Sequence, residues 1–127
     1  MRMSAEQYRK EIVPQARARF ARGVMNGTEA SYAAQLELRK RAGQIADYRF
    51  EALTLKLAHD TRYTADFLVI KADGGIELHE VKGFLREDAN VKLKTAAALF
   101  PWFRFVVIYR RGTKADPIWA AREVPAS

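Results

Sequence analysis

The sequence predicts a single α/β domain, a mixed sheet flanked by helices. Three observations predict it. Residues 47–57 alternate apolar and polar side chains, the period of a half-buried strand, and 63–71 and 75–82 read as two further strands. Phe103–Tyr109 is apolar on both faces, as a strand inside a sheet must be. Helical patterns occupy 29–42 and 88–100, on either side of the first three strands.

The elements follow in order. Ser4 and Gln7 have the spacing of a capping box, so a short helix is expected over 5–12. Pro14 interrupts it and suits the first position of a second piece that ends at Gly23. Residues 1–25 therefore read as a helical extension, and 26–123 as the body of the domain. Asn26-Gly27-Thr28 is read as a turn in which Thr28 caps the helix over 29–42. Ala33, Leu36 and Ala42 mark its apolar face. Arg39, Lys40 and Arg41 suit the negative end of its dipole, and Gly43 stops it. Residues 47–57 form one strand with Leu53, Leu55 and Leu57 on one side. Strands over 63–71 and 75–82 form a hairpin joined at Ala72-Asp73-Gly74. Asp88 caps the next helix, which Pro101 closes, and Ala96-Ala97-Ala98 permits close approach to a sheet. The strand, helix, strand order over 75–109 predicts a parallel pair. Residues 117–123 add a short edge strand, and the tail is loose.

Composition narrows the chemistry. Nearly half of the 127 residues are apolar (49%), enough for a core without covalent staples. There is no cysteine, which excludes disulfides and thiolate zinc sites. His59 and His79 are the only histidines, too few for a histidine-rich centre. Any metal must sit on oxygen ligands, which favours Mg²⁺, Mn²⁺ or Ca²⁺. No apolar run reaches the length of a membrane span, and the N-terminus lacks the apolar core of a signal peptide, so a cytoplasmic protein is expected. The net charge of +7 is clustered: six basic residues within 2–22, then Arg39–Arg41, Lys92 and Lys94, and Arg104, Arg110, Arg111 and Lys114. A polyanionic partner is the natural inference.

The hairpin carries the most chemistry. Alternation puts Leu78, Glu80 and Lys82 on one face of their strand, with His79 and Val81 on the other. A two-residue loop would turn Asp66 to the wrong side. A three-residue loop with Gly74 left-handed pairs Lys71 with Gly75 and sets Asp66 opposite Glu80. Opposed Cβ atoms lie roughly 4.5–5.5 Å apart, so two such carboxylates can share one divalent ion. Without a cation, one of them would take a proton. Lys82 would place its ammonium beside the site, and Gly83 would let a nucleic-acid backbone approach. The blander alternative is an ion-pair ladder on an exposed sheet face. The apolar neighbours Phe67–Ile70, Leu78 and Val81 weigh against it, because buried carboxylates need a reason to be present.

Asp66 followed by Glu80-x-Lys82 resembles the signature of the PD-(D/E)xK nuclease superfamily, with Ala65 where a proline usually precedes the aspartate. Tyr63-x-Ala-Asp-Phe with Glu80-Val-Lys-Gly is more specifically similar to DUF1064, a family of small phage- and prophage-borne proteins compared with Holliday-junction resolvases. Glu29-Ala-x-Tyr32, Ala42-Gly-Gln-Ile45, Lys92 and Lys94 extend the resemblance over about 26–109. It implies a restriction-endonuclease-like sheet with an αβββαβ core and extra N-terminal helices, residues 26–123 forming the nuclease-like domain. It implies catalytic Asp66, Glu80, Lys82 and Glu29. The implied metal ligands are Asp66, Glu80, Glu29 and the Val81 carbonyl, holding Mg²⁺ with Mn²⁺ as substitute. Lys92, Lys94 and Arg86 would contact nucleic acid.

The expected activity is a Mg²⁺-dependent endonuclease (a deoxyribonuclease) acting on DNA, with branched or Holliday-junction DNA among its substrates. The alternative is a non-catalytic nucleic-acid-binding module on the same fold. Junction resolution suits a two-fold homodimer, and the N-terminal pieces are candidates for its interface or for a basic DNA arm. Plain readings stand beside several roles. Glu29 in a first helical turn complements the dipole, and Glu37 is the competing helix acid, ranked below it. Lys92 and Lys94 could merely solvate a helix. His79 is read as structural. Trp102 and Trp119 are read as core or edge packing rather than base-stacking platforms.

Overall fold

The computed structural model describes residues 23–82 and 91–125. Helix α1 (Gly27–Arg41) is followed by β1 (Ile45–Phe50), β2 (Thr54–Ala58), β3 (Thr61–Thr64), β4 (Phe67–Lys71) and β5 (Ile76–Lys82). Helix α2 (Val91–Leu99), β6 (Arg104–Gly112) and β7 (Pro117–Val124) complete the order. Five strands form a mixed sheet in the order β1-β4-β5-β6-β7, and β2 with β3 forms a separate ribbon. The α/β class stands as predicted, β5 and β6 are parallel, and β7 is an edge strand. The N-terminal helices, the Asp88 cap, Gly83, Arg86 and the end of the tail lie outside the described residues.

Two of the predicted strands are each two strands. The run 47–57 divides at Glu51, whose φ of 48° turns the chain; β1 then pairs with β4, while β2 pairs with β3. The run 63–71 divides at Ala65-Asp66. Alternation continues across the second break, through Tyr63, Ala65, Phe67 and Val69, whereas at the first it changes phase, from Tyr48 and Phe50 to Leu53, Leu55 and Leu57. The breaks face each other: the Glu51 N–H donates to the Asp66 carbonyl at 2.9 Å. Asp66 therefore stands in a bend just before β4 rather than within a strand.

Helix α1 starts earlier than Thr28 predicts. Asn26 is its cap: the Asn26 Oδ1 accepts from the Glu29 N–H at 2.8 Å, and the Glu29 Oε1 accepts from the Asn26 N–H at 2.9 Å. This reciprocal box satisfies two otherwise orphaned donors. Asparagine wins over threonine two residues later because only the earlier cap places Glu29 at the third helical position.

The core has two parts, one on each face of the five-stranded sheet. Tyr32 and Leu36 of α1 pack with Ile45, Phe67, Val69, Val106 and Ile108. Leu93, Ala96 and Ala97 of α2 pack with Leu78, Phe105, Val107 and Tyr109, and the ribbon adds Leu55 and Tyr63 to this second part. Strand β5 thus lies between β4 and β6 with both faces covered. Trp119 packs edge-on against Tyr32 with ring centroids 5.1 Å apart. Trp102 departs from its expected packing role: it is 77% exposed, because it follows Pro101 in the turn outside β6 and meets only the edge of Phe100. Among the described residues no helix is long and apolar enough to cross a membrane.

Candidate functional site

The site is built at the end of the β4–β5 hairpin. Lys71 N–H donates to the Gly75 carbonyl at 2.8 Å and Gly74 N–H to the Lys71 carbonyl at 2.9 Å. These bonds close a three-residue loop in which Gly74 takes φ +91°, a conformation open to glycine at little cost. The ladder then pairs Ile70 with Ile76, Val69 with Glu77, Leu68 with Leu78 and Phe67 with His79. The next position outward sets Asp66 against Glu80, as the register count predicts. There the backbone ladder ends, and the Asp66 Oδ2 accepts the Val81 N–H at 2.8 Å in place of a strand partner. Asp66 is held twice, by its carbonyl on Glu51 and by its carboxylate on Val81.

Glu80 points to the α2 face with Leu78 and Lys82. Its Oε1 accepts from the Tyr63 hydroxyl at 2.8 Å, and its Oε2 lies 3.4 Å from the Lys82 ammonium. Glu80 is buried, and Lys82 is half-buried at the strand end. Tyr63, to which the sequence reading gave no role, supplies the hydroxyl bonded to Glu80. It sits on β3, in a different sheet, between Arg62 and Thr64, and its signal is its place in the Tyr63-x-Ala-Asp-Phe pattern.

Burial sets the electrostatics. Removal from water, then the charge of Glu80, pushes the Asp66 carboxyl up to about 8; the Val81 N–H favours the carboxylate, and Glu29 opposes it. Burial also raises Glu80, against the Tyr63 hydroxyl and the Lys82 ammonium, with Glu29 adding to the rise. Glu29 thus acts on both acids while its Oε1 caps α1. Glu37 does not join them: it binds the Arg41 Nε at 3.0 Å and the Tyr48 hydroxyl at 2.8 Å.

Among the described residues no three His, Asp or Glu side chains form a group ready to hold an ion. The donor chemistry nevertheless fits a hard cation. All the donors are oxygen, and both carboxyls are raised, first by burial, with Glu80 adding to the rise of Asp66 and Glu29 to that of Glu80. A strand residue directs its N–H and C=O to the same side, so the Val81 carbonyl faces the Asp66 side of β5. Mg²⁺ takes one or two carboxylates with its other positions left to water and phosphate, so a complete protein cage is not required.

Three residues on, the opposite face of β5 is arranged differently. Glu77 Oε1 lies 2.9 Å from His79 Nε2, and Glu77 Oε2 lies 3.2 Å from an Arg104 guanidinium nitrogen. The hydrogen bond from His79, with further help from Arg104, holds Glu77 below the usual range. An ionised carboxylate can only accept, so His79 Nε2 carries the proton. Its Nδ1 meets the Tyr32 hydroxyl at 2.7 Å. His79 is structural, as its face predicts. Of the predicted nucleic-acid contacts, Lys92 and Lys94 are exposed on α2.

The family model described as a protein of unknown function, DUF1064, matches residues 24–114, more than half of the chain. No curated protein and no solved structure matches it significantly.

Proposed function

We propose that this chain, which belongs to the DUF1064 family, is a metal-dependent endonuclease hydrolysing phosphodiester bonds of DNA. One observation carries the reading: Asp66 and Glu80 are brought together and buried, the charge of Glu80 helps to raise Asp66, and the Lys82 ammonium lies 3.4 Å from Glu80. An ion-pair ladder would lower carboxylate pKa values, as it does for Glu77; Asp66 moves the other way. The pattern Asp66, Glu80-x-Lys82 resembles the PD-(D/E)xK nucleases, and the net charge of +7 suits a polyanionic substrate.

In this reading Asp66, Glu80, the Val81 carbonyl and Glu29 hold Mg²⁺, or Mn²⁺ in its place. When bound, such an ion lowers the pKa of a water and offsets charge developing on phosphorus. Tyr63 fixes the Glu80 carboxylate by its hydrogen bond. The Val81 N–H fixes that of Asp66. Lys82 offers its ammonium to the attacking water or to a phosphate oxygen. Branched or Holliday-junction DNA is the proposed preferred substrate, cut by a homodimer in the cytoplasm, since symmetric cleavage of two strands suits two-fold symmetry.

The test is incubation of the purified chain with a four-way junction, a linear duplex and a single strand, in Mg²⁺ and in Mn²⁺. Cleavage of the junction ahead of the others is expected. Failure to cut any of the three in either metal overturns the reading. A second reading is a nucleic-acid-binding module without catalysis, favoured by the absence of a ready three-acid group among the described residues. Manganese titration separates the two: a catalytic site binds the ion and loses it in Asp66→Asn, and a bare module does not bind it.

A further inference from the structure

The β2–β3 ribbon leads directly into the site, and its two faces differ. Leu55 and Tyr63 point inward to the core beside α2. The outer face carries Thr54, Lys56, Arg62 and Thr64. Lys56 pairs directly with Arg62 across the ribbon, and both are exposed. Opposed side chains sit roughly 4.5–5.5 Å apart at Cβ, and like charges placed so are destabilising. Neither cation has an acidic partner among the described residues; Asp60 at the ribbon tip lies 3.7 Å from His59. Two pairs along, and so on the same face, the Thr54 and Thr64 hydroxyls bond each other at 2.7 Å. The face is therefore cationic and hydroxylic, without a carboxylate between Thr54 and Ala58 or between Thr61 and Thr64.

We propose that this outer face, through Lys56 and Arg62, is a clamp for the DNA phosphate backbone beside the cleaved bond. The proposal rests on the nuclease reading. A ribbon that keeps two repelling cations opposite each other gains when an anion lies between them. The position suits a phosphate near the reacting one: Arg62 precedes Asp66 by four residues, at most about 13 Å at strand rise. Helix α2, with Lys92 and Lys94, packs against the same ribbon. The hydroxyls of Thr54 and Thr64 offer further donors to phosphate oxygens.

The experiment measures binding rather than cleavage. Affinity of the full chain for a labelled linear duplex is followed by fluorescence anisotropy in Ca²⁺, from about 50 to 200 mM salt. Lys56→Ala/Arg62→Ala is expected to reduce the slope of log K against log salt by about 1.8, one unit of ~0.9 per lost phosphate contact. Its melting temperature should not fall, because the exposed like-charge pair is removed. Lys40→Ala/Arg41→Ala removes the same charge from the far end of α1 and should leave the slope unchanged.

An unchanged slope in Lys56→Ala/Arg62→Ala overturns the clamp, as does an equal loss in Lys40→Ala/Arg41→Ala, which would show a diffuse charge effect. If the wild type cuts DNA while the ribbon variant binds normally, the clamp fails and the nuclease reading stands. If the ribbon variant loses slope while Asp66→Asn still cuts, the clamp stands and the assigned site fails. A wild type that does not bind duplex overturns the clamp, and junction cleavage then decides the nuclease reading by itself.

Discussion

Glu77 and Glu80 lie three residues apart on one strand, both buried, one on each face of the same sheet. Glu77 meets His79 and Arg104, and its carboxyl is held low. Glu80 meets Tyr63 and Lys82, yet burial, with Glu29 adding to it, raises its carboxyl, and its charge in turn helps to raise Asp66. A buried acid surrounded by donors and cations is part of the scaffold. A buried acid facing other acids is held at a cost that a bound cation removes. The two faces of β5 therefore separate architecture from proposed chemistry more sharply than either acid does alone.

The largest expected effects lie on the Glu80 face. Lys82→Ala and Asp66→Asn should each lower DNA cleavage by about 10³-fold or more, in the range of losing a transition-state contact, while keeping salt-sensitive binding. Gel assays of cleavage beside anisotropy check this, and normal cutting by both variants would show that the site is misassigned.

Next in size, Glu77→Ala should destabilise the fold by about 2 kcal/mol, because it leaves the buried His79 Nε2 without its acceptor, whereas Arg104 is exposed and keeps Glu123. Chemical denaturation measures it; a loss well under 1 kcal/mol would mean that the Glu77 network is not structural. Glu80→Gln, in contrast, should leave the metal-free fold as stable or more so.

The comparison also predicts opposite slopes with pH. The folded chain keeps a proton on Asp66 until about pH 8, whereas an unfolded aspartate loses it near pH 4. The folded state thus binds more protons between those values, and this group's contribution to stability falls as pH rises from about 4 to 8. Glu77 acts in the other direction: its contribution is present above the ordinary glutamate range and is lost as pH falls through its lowered pKa. Melting curves without metal should show the alkaline loss, Asp66→Asn should flatten it by several degrees (about 4 °C or more), and Mg²⁺ should reverse it. A profile unchanged by Asp66→Asn would refute the assignment.

The smallest effect is at Tyr63. Tyr63→Phe removes the hydroxyl that favours ionised Glu80. About 1 kcal/mol is expected, read as a roughly fivefold drop in cleavage with the acid limb of the pH–rate profile moved upward. No change in that limb would leave Tyr63 as packing alone.

Legibility follows the range of each interaction. The Lys71–Gly75 loop and the opposition of Asp66 to Glu80 are readable because period-two alternation and a glycine turn are local. The break at Asp66 is not, since each half of its run chooses a different partner strand while the alternation continues; the break at Glu51 leaves a change of phase, from Tyr48 and Phe50 to Leu53 and Leu55, but the partner of each half is set at long range. The Asn26 cap was local but competed with Thr28, and only the reciprocal bond with Glu29 separates them. Tyr63 and Glu80 are 17 residues apart, and Tyr32 and His79 are 47 apart, in pairings that no spacing rule specifies.

By itself, the sequence determined the α/β class, the faces of β5 and, given a three-residue loop, the opposition of Asp66 to Glu80. Backbone periodicity and side-chain chemistry are properties of neighbouring residues, so they survive in one dimension. Tertiary structure alone decided that Asp66 leaves its strand, that β2 and β3 form a separate ribbon, and that Glu29 reaches the hairpin acids across the fold. It also decided which buried acid is held low and which is raised. Burial and charge proximity depend on how distant segments pack, and that packing sets the pKa of each group.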